Sequence, residues 1–235
     1  MSHAAAVAAT LAGIALFVAL GSWQLRRAHE KEALFAAFAD ATTQRPVTLE
    51  QARRDSTATR YPLVELAGTY DAAHAYVLDN QVRGGRAGVM LFDVFAPSAG
   101  GAPLLVNRGF LARDVREALP AVPPPPAGVQ TLRALYAPAP GAGLRLGGNP
   151  LPRQAKWPKT SIYIDLAEIS ADLGRALDPR VLLQVSADAA GGAAFVREWK
   201  PEVFPPERHY GYAFTWFTFA AVVAVTFAIL RRREN

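Results

Sequence analysis

Two long uncharged stretches lie at opposite ends of this 235-residue chain. Residues 4–23 carry no charged side chain over 20 positions, and residues 210–230 carry none over 21. A helix needs about 20 apolar residues to cross the hydrocarbon core of a bilayer. The pattern therefore predicts two transmembrane helices around one extramembrane domain, residues 24–209, with a basic tail at residues 231–235. Both chain ends then lie on one side of the membrane, and the sequences that border the two spans meet at the other surface.

The first stretch is also weighed as a cleavable signal peptide. Its first three residues contain no Lys or Arg, and its apolar run is longer than that of a usual signal. The bulky Trp23 follows that run, where a cleavage site would need small residues. We therefore expect the first stretch to be retained as a membrane span.

The basic residues at the membrane boundaries give opposing indications of orientation. The three arginines of the tail favour cytoplasmic chain ends, whereas Arg26, Arg27 and Lys31 after the first span favour the reverse. Charges in a long loop influence topology less than charges in a short one. We therefore expect the chain ends to be cytoplasmic.

The domain between the spans has the composition of a β-rich fold. The chain contains 18 Pro and 18 Gly residues, and short apolar runs alternate with turn signals such as Gly84-Gly85. The first span is expected to continue as a polar helix to about Asp40, and residues 42–60 to form a loop or short helix. The predicted fold class is membrane α+β, with a small antiparallel, barrel-like domain. Strands are expected at residues 62–70, 75–82, 88–96, 104–111, 130–137, 181–186 and 194–199. Residues 161–166 are expected to form either a strand or the lead into a helix at residues 165–177.

The residue inventory disfavours several classes of function. The chain has no cysteine, which excludes disulfides, thiol catalysis and thiolate zinc sites. Its four histidines are far apart, and it contains no phosphate-binding loop, dinucleotide fingerprint or serine-nucleophile elbow. We therefore expect no enzymatic activity and no catalytic residues. The net charge of +5 is modest and scattered, which disfavours nucleic acid and favours membrane lipids as partners of the boundary cations.

Two polar positions in the domain are weighed as sites. Asp71 and His74 lie three residues apart in turn-like sequence, so a solvated turn is favoured over a metal or catalytic site. Arg108 ends an apolar strand at a glycine turn, Asn107-Arg-Gly-Phe110. A structural role is favoured for it, although it is the best candidate for a functional residue in the domain.

His209 stands out because it precedes the second apolar stretch, at the expected membrane surface. On a helix, His209, Tyr212, Ala213, Trp216 and Ala220 share one face. Such a face suits a flat apolar ring that lies over Ala213 with its iron at His209, as in haem. The alternative is an interfacial histidine within an ordinary aromatic belt, which the residues alone favour. Cations available for the acidic groups of haem are Arg26, Lys200 and Arg208.

Four segments, in order, resemble motifs of the surfeit locus protein family, the assembly factors of haem-copper cytochrome c oxidase. The segments are Gly21-Ser-Trp-Gln-Leu-Arg-Arg27, Gly68-Thr-Tyr70, Leu104-Leu-Val-Asn-Arg-Gly-Phe-Leu111 and His209-Tyr-Gly-Tyr-Ala-Phe-Thr-Trp-Phe217. The resemblance covers essentially the whole chain, including the two spans. The Pro- and Gly-rich residues 120–152 do not fit the family pattern.

The resemblance implies a bacterial inner-membrane protein whose central domain is periplasmic. It also implies that the protein holds haem a for the catalytic subunit of the oxidase, with the haem a synthesis machinery as a further partner. The alternative is a scaffold without haem that stabilises an assembly intermediate. His209 matches the proposed haem ligand of the family, so the expected haem-binding residues are His209, Tyr212, Trp216 and Arg208. Expected motif or interface residues are Trp23, Gln24, Arg26 and Arg108.

Overall fold

The chain forms two compact units. Residues 1–37 and 203–235 make a helical unit, and residues 38–202 make a β unit. The computed structural model describes residues 3–57, 60–114, 119–140, 148–186, 195–201 and 203–234.

The described part of the helical unit consists of two long helices, α1 (His3–Ala41) and, near the C-terminus, α4 (Pro206–Glu234). Each is long and apolar enough to cross a membrane, as the two uncharged stretches predict. α1 continues without a break into charged residues, which confirms the predicted polar extension to about Asp40. Pro206 occupies the first position of α4, where its missing N–H removes no helical hydrogen bond.

The described residues of the β unit form a six-stranded sheet, and a pairing between the first two strands of the chain closes five of the six into a ring. This closure confirms the predicted barrel-like domain. Most pairings are antiparallel, but the first strand pairs with the fifth in parallel and the third with the sixth, so the barrel is mixed. The strand order is β2-β3-β6-β4-β1-β5, and the strands are β1 (Leu63–Arg83), β2 (Arg86–Pro97), β3 (Leu104–Ala112), β4 (Val129–Ala137), β5 (Lys159–Ser161) and β6 (Val181–Gln184).

β1 joins two segments that the sequence predicts as separate strands. The register of its pairing with β2 shifts between Tyr70 and Ala75, so extra residues bulge out while the strand continues. Such a bulge bends the strand, and β1 pairs with β4 through its first half and with β2 along much of its length. Asp71 and His74 therefore lie on a strand irregularity, and the prediction of a turn at these residues is wrong.

The last predicted strand, residues 194–199, is wrong over its described part. Val196 forms only an isolated bridge with Phe110, through hydrogen bonds of 2.8 and 2.9 Å. The next contact with β3 is made by a side chain, because Arg197 Nε donates to the backbone oxygen of Arg108 at 2.8 Å. The first residue of the predicted strand lies outside the described residues.

Two short α-helices are also present among the described residues. α2 (Leu49–Asp55) begins at a capping box centred on Thr48, which resolves the choice between loop and short helix. α3 (Leu166–Leu173) is capped by the side chain of Asp165 and ends at Gly174, whose φ of +67° is left-handed. The left-handed cap ends α3 earlier than the sequence predicts.

The β unit has its own hydrophobic core. Alternate residues of a strand point to opposite faces, and eight consecutive residues of β2 are buried, so both of its faces are covered. Ala52 of α2 packs in one cluster with Phe95 and Leu104, and Ile169 of α3 packs in another with Phe92. The short helices therefore complete the core around the sheet.

Candidate functional site

Small residues bring α1 and α4 into close contact. A Cβ atom on Gly21 would lie 2.8 Å from ring atoms of Phe217, so a larger residue requires that ring to move. Ala28 of α1 and Ala213 and Ala220 of α4 are buried. Small residues of this kind allow helix backbones to approach each other within a membrane.

Aromatic side chains fill the apolar part of the contact between the two helices. Phe17 of α1 stacks on Trp216 of α4, with ring centroids 5.8 Å apart and ring planes at 23°. Phe17 also lies 5.8 Å from Phe219, at a tilted angle. Trp216, which the sequence assigns to a haem site, is therefore also part of the helix contact.

A hydrogen bond joins His209 of α4 to Gln24 of α1. His209 Nδ1 lies 2.8 Å from Gln24 Oε1, in a partly buried position. With the amide oxygen facing the ring, Nδ1 is the donor, because a carboxamide oxygen only accepts hydrogen bonds. In the neutral ring the lone pair then lies on Nε2, which makes no hydrogen bond within the described part of the chain. The imidazole has one nitrogen held by the protein and the other available as a ligand.

A second hydrogen bond joins the helices farther along α1. The hydroxyl of Tyr210 donates to Glu32 Oε1 at 2.8 Å. The Tyr210 ring also lies edge-on to His29, with centroids 6.1 Å apart. Gln24, Ala28 and Glu32 are spaced by four and share one face of α1. Ala28 is buried between these two polar contacts, and its small size lets the side chains of Gln24 and Glu32 reach α4.

The predicted haem-binding residues do not have a common environment. Tyr212 is 58% exposed, and Arg208 is exposed with its guanidinium 5.2 Å from the ring centroid of Phe204. Ala213 is only 1% exposed, because the packing of the helical unit covers it. The prediction of a ring lying over Ala213 is therefore wrong, since that surface is occupied by protein.

The motif after the first apolar stretch contributes one side chain to the helix contact. Trp23 is 45% exposed and Arg26 is exposed, whereas Gln24 between them is partly buried against His209. The two span borders therefore meet, as the sequence predicts. Which residue would make the contact could not be predicted, because the motif alone does not show which side of α1 faces α4.

Arg108 lies in the interior of the β unit. Its Nη1 donates to Asp93 Oδ2 at 2.9 Å, and the two residues are 2% and 1% exposed. Its guanidinium also lies 4.8 Å from the ring centroid of Phe195 and donates to the backbone oxygen of Pro123 at 3.1 Å. These contacts are those of a buried structural ion pair. A functional role for Arg108 stays a prediction.

The structure also contains a polar network that sequence reasoning missed. Asp172 of α3 accepts hydrogen bonds from the Tyr76 hydroxyl at 2.9 Å and from Lys159 Nζ at 2.6 Å. Burial raises the pKa of Tyr76 well above its ordinary value, and the hydrogen bond to Asp172 raises it further. Lys159 Nζ also lies 4.7 Å from the ring centroid of Trp157. These residues are far apart in sequence, so no local spacing reveals the network.

Asp71 and His74 extend this polar region at the bulge of β1. Asp71 Oδ2 lies 2.9 Å from His74 Nδ1 and 2.5 Å from Arg175 Nη2. Burial raises the pKa of Asp71, but hydrogen bonds from His74 and from the Ala73 N–H outweigh it, so that pKa lies below its ordinary value. No group of three or more His, Asp or Glu side chains suited to a metal ion occurs among the described residues. The contacts at the bulge are those of a structural support.

The fold defines a class of membrane protein in which two helical spans flank one β-barrel domain in the sequence. Two candidate membrane helices flank a β-barrel domain in the sequence, and a partly buried histidine lies where the helices meet. A model of the SURF1 family matches residues 11–221, nearly the whole chain, and the chain belongs to that family. The family is known for cytochrome oxidase assembly and is a family of assembly factors rather than catalysts. A comparison with curated proteins finds no match.

Proposed function

We propose that this protein holds haem a as cargo, through His209, for insertion into the catalytic subunit of a haem-copper cytochrome c oxidase. The observation that carries the proposal is the pairing of His209 Nδ1 with Gln24, which leaves Nε2 as the nitrogen with a lone pair. Membership of an assembly-factor family supports a role in oxidase assembly, and the histidine supports haem as the cargo. The chain has no catalytic step in this proposal.

The residues around His209 fit the chemistry of haem. Haem iron is commonly held by an axial imidazole whose other nitrogen donates to a protein acceptor. A carrier must also release its cargo, and a single protein ligand suits release better than two strong ligands. His209 supplies one such imidazole at the polar end of an apolar helix.

Other residues of α4 suit the remaining parts of the cargo. The exposed ring of Tyr212 lies one turn after His209 and is open to an apolar cargo, whereas Trp216, one turn farther on, stacks on Phe17 and would support the site from the helix contact. Arg208, in the first turn of α4, offers a cation for the haem propionates. The positive end of the helix dipole lies at the same turn and favours the same anionic groups.

We assign the protein to a bacterial inner membrane, with both chain ends cytoplasmic and the β unit periplasmic. The three arginines that end α4 support this orientation. The partners are then the catalytic subunit of the oxidase, the haem a synthesis machinery and the surrounding lipids. No nucleic acid takes part.

The test is the visible absorption spectrum of the detergent-purified protein after co-expression with haem a synthesis. His209→Ala is expected to abolish the haem a signal while the protein still inserts and purifies. His29→Ala is the matched control, because His29 lies at the same polar end of the helix pair and contacts Tyr210. The control is expected to keep the signal.

Two outcomes would contradict the proposal. An unchanged haem content in His209→Ala would show that His209 is not the haem ligand. A wild-type protein that purifies without haem, yet still copurifies with oxidase subunits, would instead support a scaffold that stabilises an assembly intermediate.

A further inference from the structure

We propose that Gln24 is a positioning residue that fixes His209 in the tautomer protonated at Nδ1, so that Nε2 keeps the lone pair with which it would bind the iron of the cargo. The inference rests on the proposed haem-holding function and adds a residue on the opposite helix to it. The same hydrogen bond that joins α1 to α4 then also prepares the ligand.

The orientation of the Gln24 amide determines the tautomer of His209. Gln24 Oε1 lies 2.8 Å from His209 Nδ1 and has no proton to give, so the ring must donate. If the amide were reversed, its N–H would donate to Nδ1 and the ring proton would move to Nε2. An imidazole protonated at Nε2 cannot bind iron through that nitrogen. The orientation of one amide therefore decides whether His209 is ready to act as a ligand.

The position of Gln24 is fixed by its neighbours on α1. Gly21 lies almost one turn before it and leaves no room between the backbone and the ring of Phe217. Ala28 lies one turn after it and is fully buried. Because these small residues hold the helices close on both sides, the Gln24 side chain reaches His209 without displacing either backbone.

An amide partner suits a carrier because of its intermediate strength. Partners of ligating histidines raise the basicity of the ring, and their loss typically weakens metal binding by roughly 10–100-fold. A carboxylate at the same position would raise the basicity further and hold the iron more tightly. A neutral amide orients the ring with less of this effect, which is compatible with release of the cargo.

The first experiment examines the protein without haem. Nitrogen-15 NMR of histidine-labelled protein in detergent, at a pH where the ring is neutral, distinguishes a protonated ring nitrogen from one with a lone pair. The His209 signals are identified by their loss in His209→Ala, since the chain has only four histidines. The wild type is expected to be protonated at Nδ1, and Gln24→Leu is expected to populate both tautomers.

The matched control is Tyr210→Phe, which removes the other described hydrogen bond between the helices while keeping the ring. This variant is expected to leave the His209 tautomer unchanged. If it changes the tautomer as much as Gln24→Leu does, the effect belongs to general loosening of the helices and the inference is wrong. A wild type protonated at Nε2 would also overturn the inference.

The second experiment adds haem and measures both affinity and the iron reduction potential. Gln24→Leu is expected to weaken haem binding by roughly 10–100-fold, whereas Gln24→Glu is expected to retain binding and to lower the potential. Wild-type affinity in Gln24→Leu, together with loss of haem in His209→Ala, would reject the role of Gln24 alone. Wild-type affinity in His209→Ala would reject the proposed function, whatever tautomer the first experiment finds.

Discussion

The ion pair between Arg108 and Asp93 places two opposite charges inside the core of the β unit. Removing one member of a buried pair leaves the other charge in the interior, which costs about 3–5 kcal/mol. We expect Arg108→Met to lower the free energy of unfolding by that amount, because the buried Asp93 would lose its ion pair with Arg108. The measurement is chemical denaturation of the full-length protein in detergent, followed by circular dichroism.

An exposed pair provides the control for this prediction. Arg133 lies 3.9 Å from Glu65, and both side chains are about half exposed, so Arg133→Met should cost less than about 1 kcal/mol. The double variant Arg108→Met with Asp93→Leu should recover most of the lost stability, since no lone charge then remains buried. A stable Arg108→Met protein with impaired oxidase assembly would instead favour a functional role for Arg108.

Single residues were predictable from sequence where position alone identifies them. His209 precedes a long apolar run, so its location at the polar end of a helix follows from the pattern. Its partner does not, because Gln24 is 185 residues away in the chain. The network of Tyr76, Lys159 and Asp172 was missed for the same reason, since only the folded barrel brings these groups together.

The contact between α1 and α4 depends on glycine at one position. A Cβ atom at Gly21 would overlap the ring of Phe217, whereas a Cβ atom at Gly13 would meet nothing within 4 Å. We therefore expect Gly21→Val to push the helices apart and weaken the hydrogen bond between Gln24 and His209. Gly13→Val, on the same helix, should leave the spacing unchanged.

Spin labels test this prediction directly, because the chain has no cysteine of its own. Labels attached through Ser22→Cys and Glu207→Cys lie at exposed positions near the two span borders. Their distance, measured by pulsed electron paramagnetic resonance, should increase in Gly21→Val and stay constant in Gly13→Val. Equal distances in both variants would show that the Phe217 ring simply rotates away and that glycine is not required.

The strands show why some elements could be predicted and others could not. Apolar runs bounded by glycine turns identified β2, β3 and β4 within a residue or two. β1 was divided because Asp71 to His74 have turn-like composition, and the strand continues through them because the residues on both sides pair with β2. Residues 194–199 have strand-like composition, but their described part pairs with β3 at Val196 alone.

At the scale of the whole molecule, the chain divides into one unit suited to lipid and one unit suited to water. The helical unit is apolar along most of its length and has the dimensions of membrane spans, whereas the β unit buries its apolar residues in its own core. The division was predictable because a run of about 20 uncharged residues has few alternatives. The closure of the barrel was harder to predict from the sequence, because it requires β1 to pair with strands on both of its sides.

This division makes a prediction about where the cargo binds. A fragment of residues 38–202 contains the β unit and its core but neither Gln24 nor His209. We expect it to fold in water and unfold cooperatively, and to take up no haem. The full-length protein in detergent, titrated with the same haem under the same conditions, should bind it. Circular dichroism and visible absorption of the two proteins, measured side by side, provide the comparison.

The other possible results would assign the functions to the two units differently or refine that assignment. A folded fragment that binds haem would place the cargo site in the β unit and remove the need for His209. An unfolded fragment would show that the β unit depends on the helices for stability, and the role of the helices would then include folding as well as binding. A folded fragment without haem that still captures the oxidase subunit would assign partner recognition to the β unit and cargo to the helix pair. In that case one chain would combine a partner-binding domain and a haem-holding membrane segment.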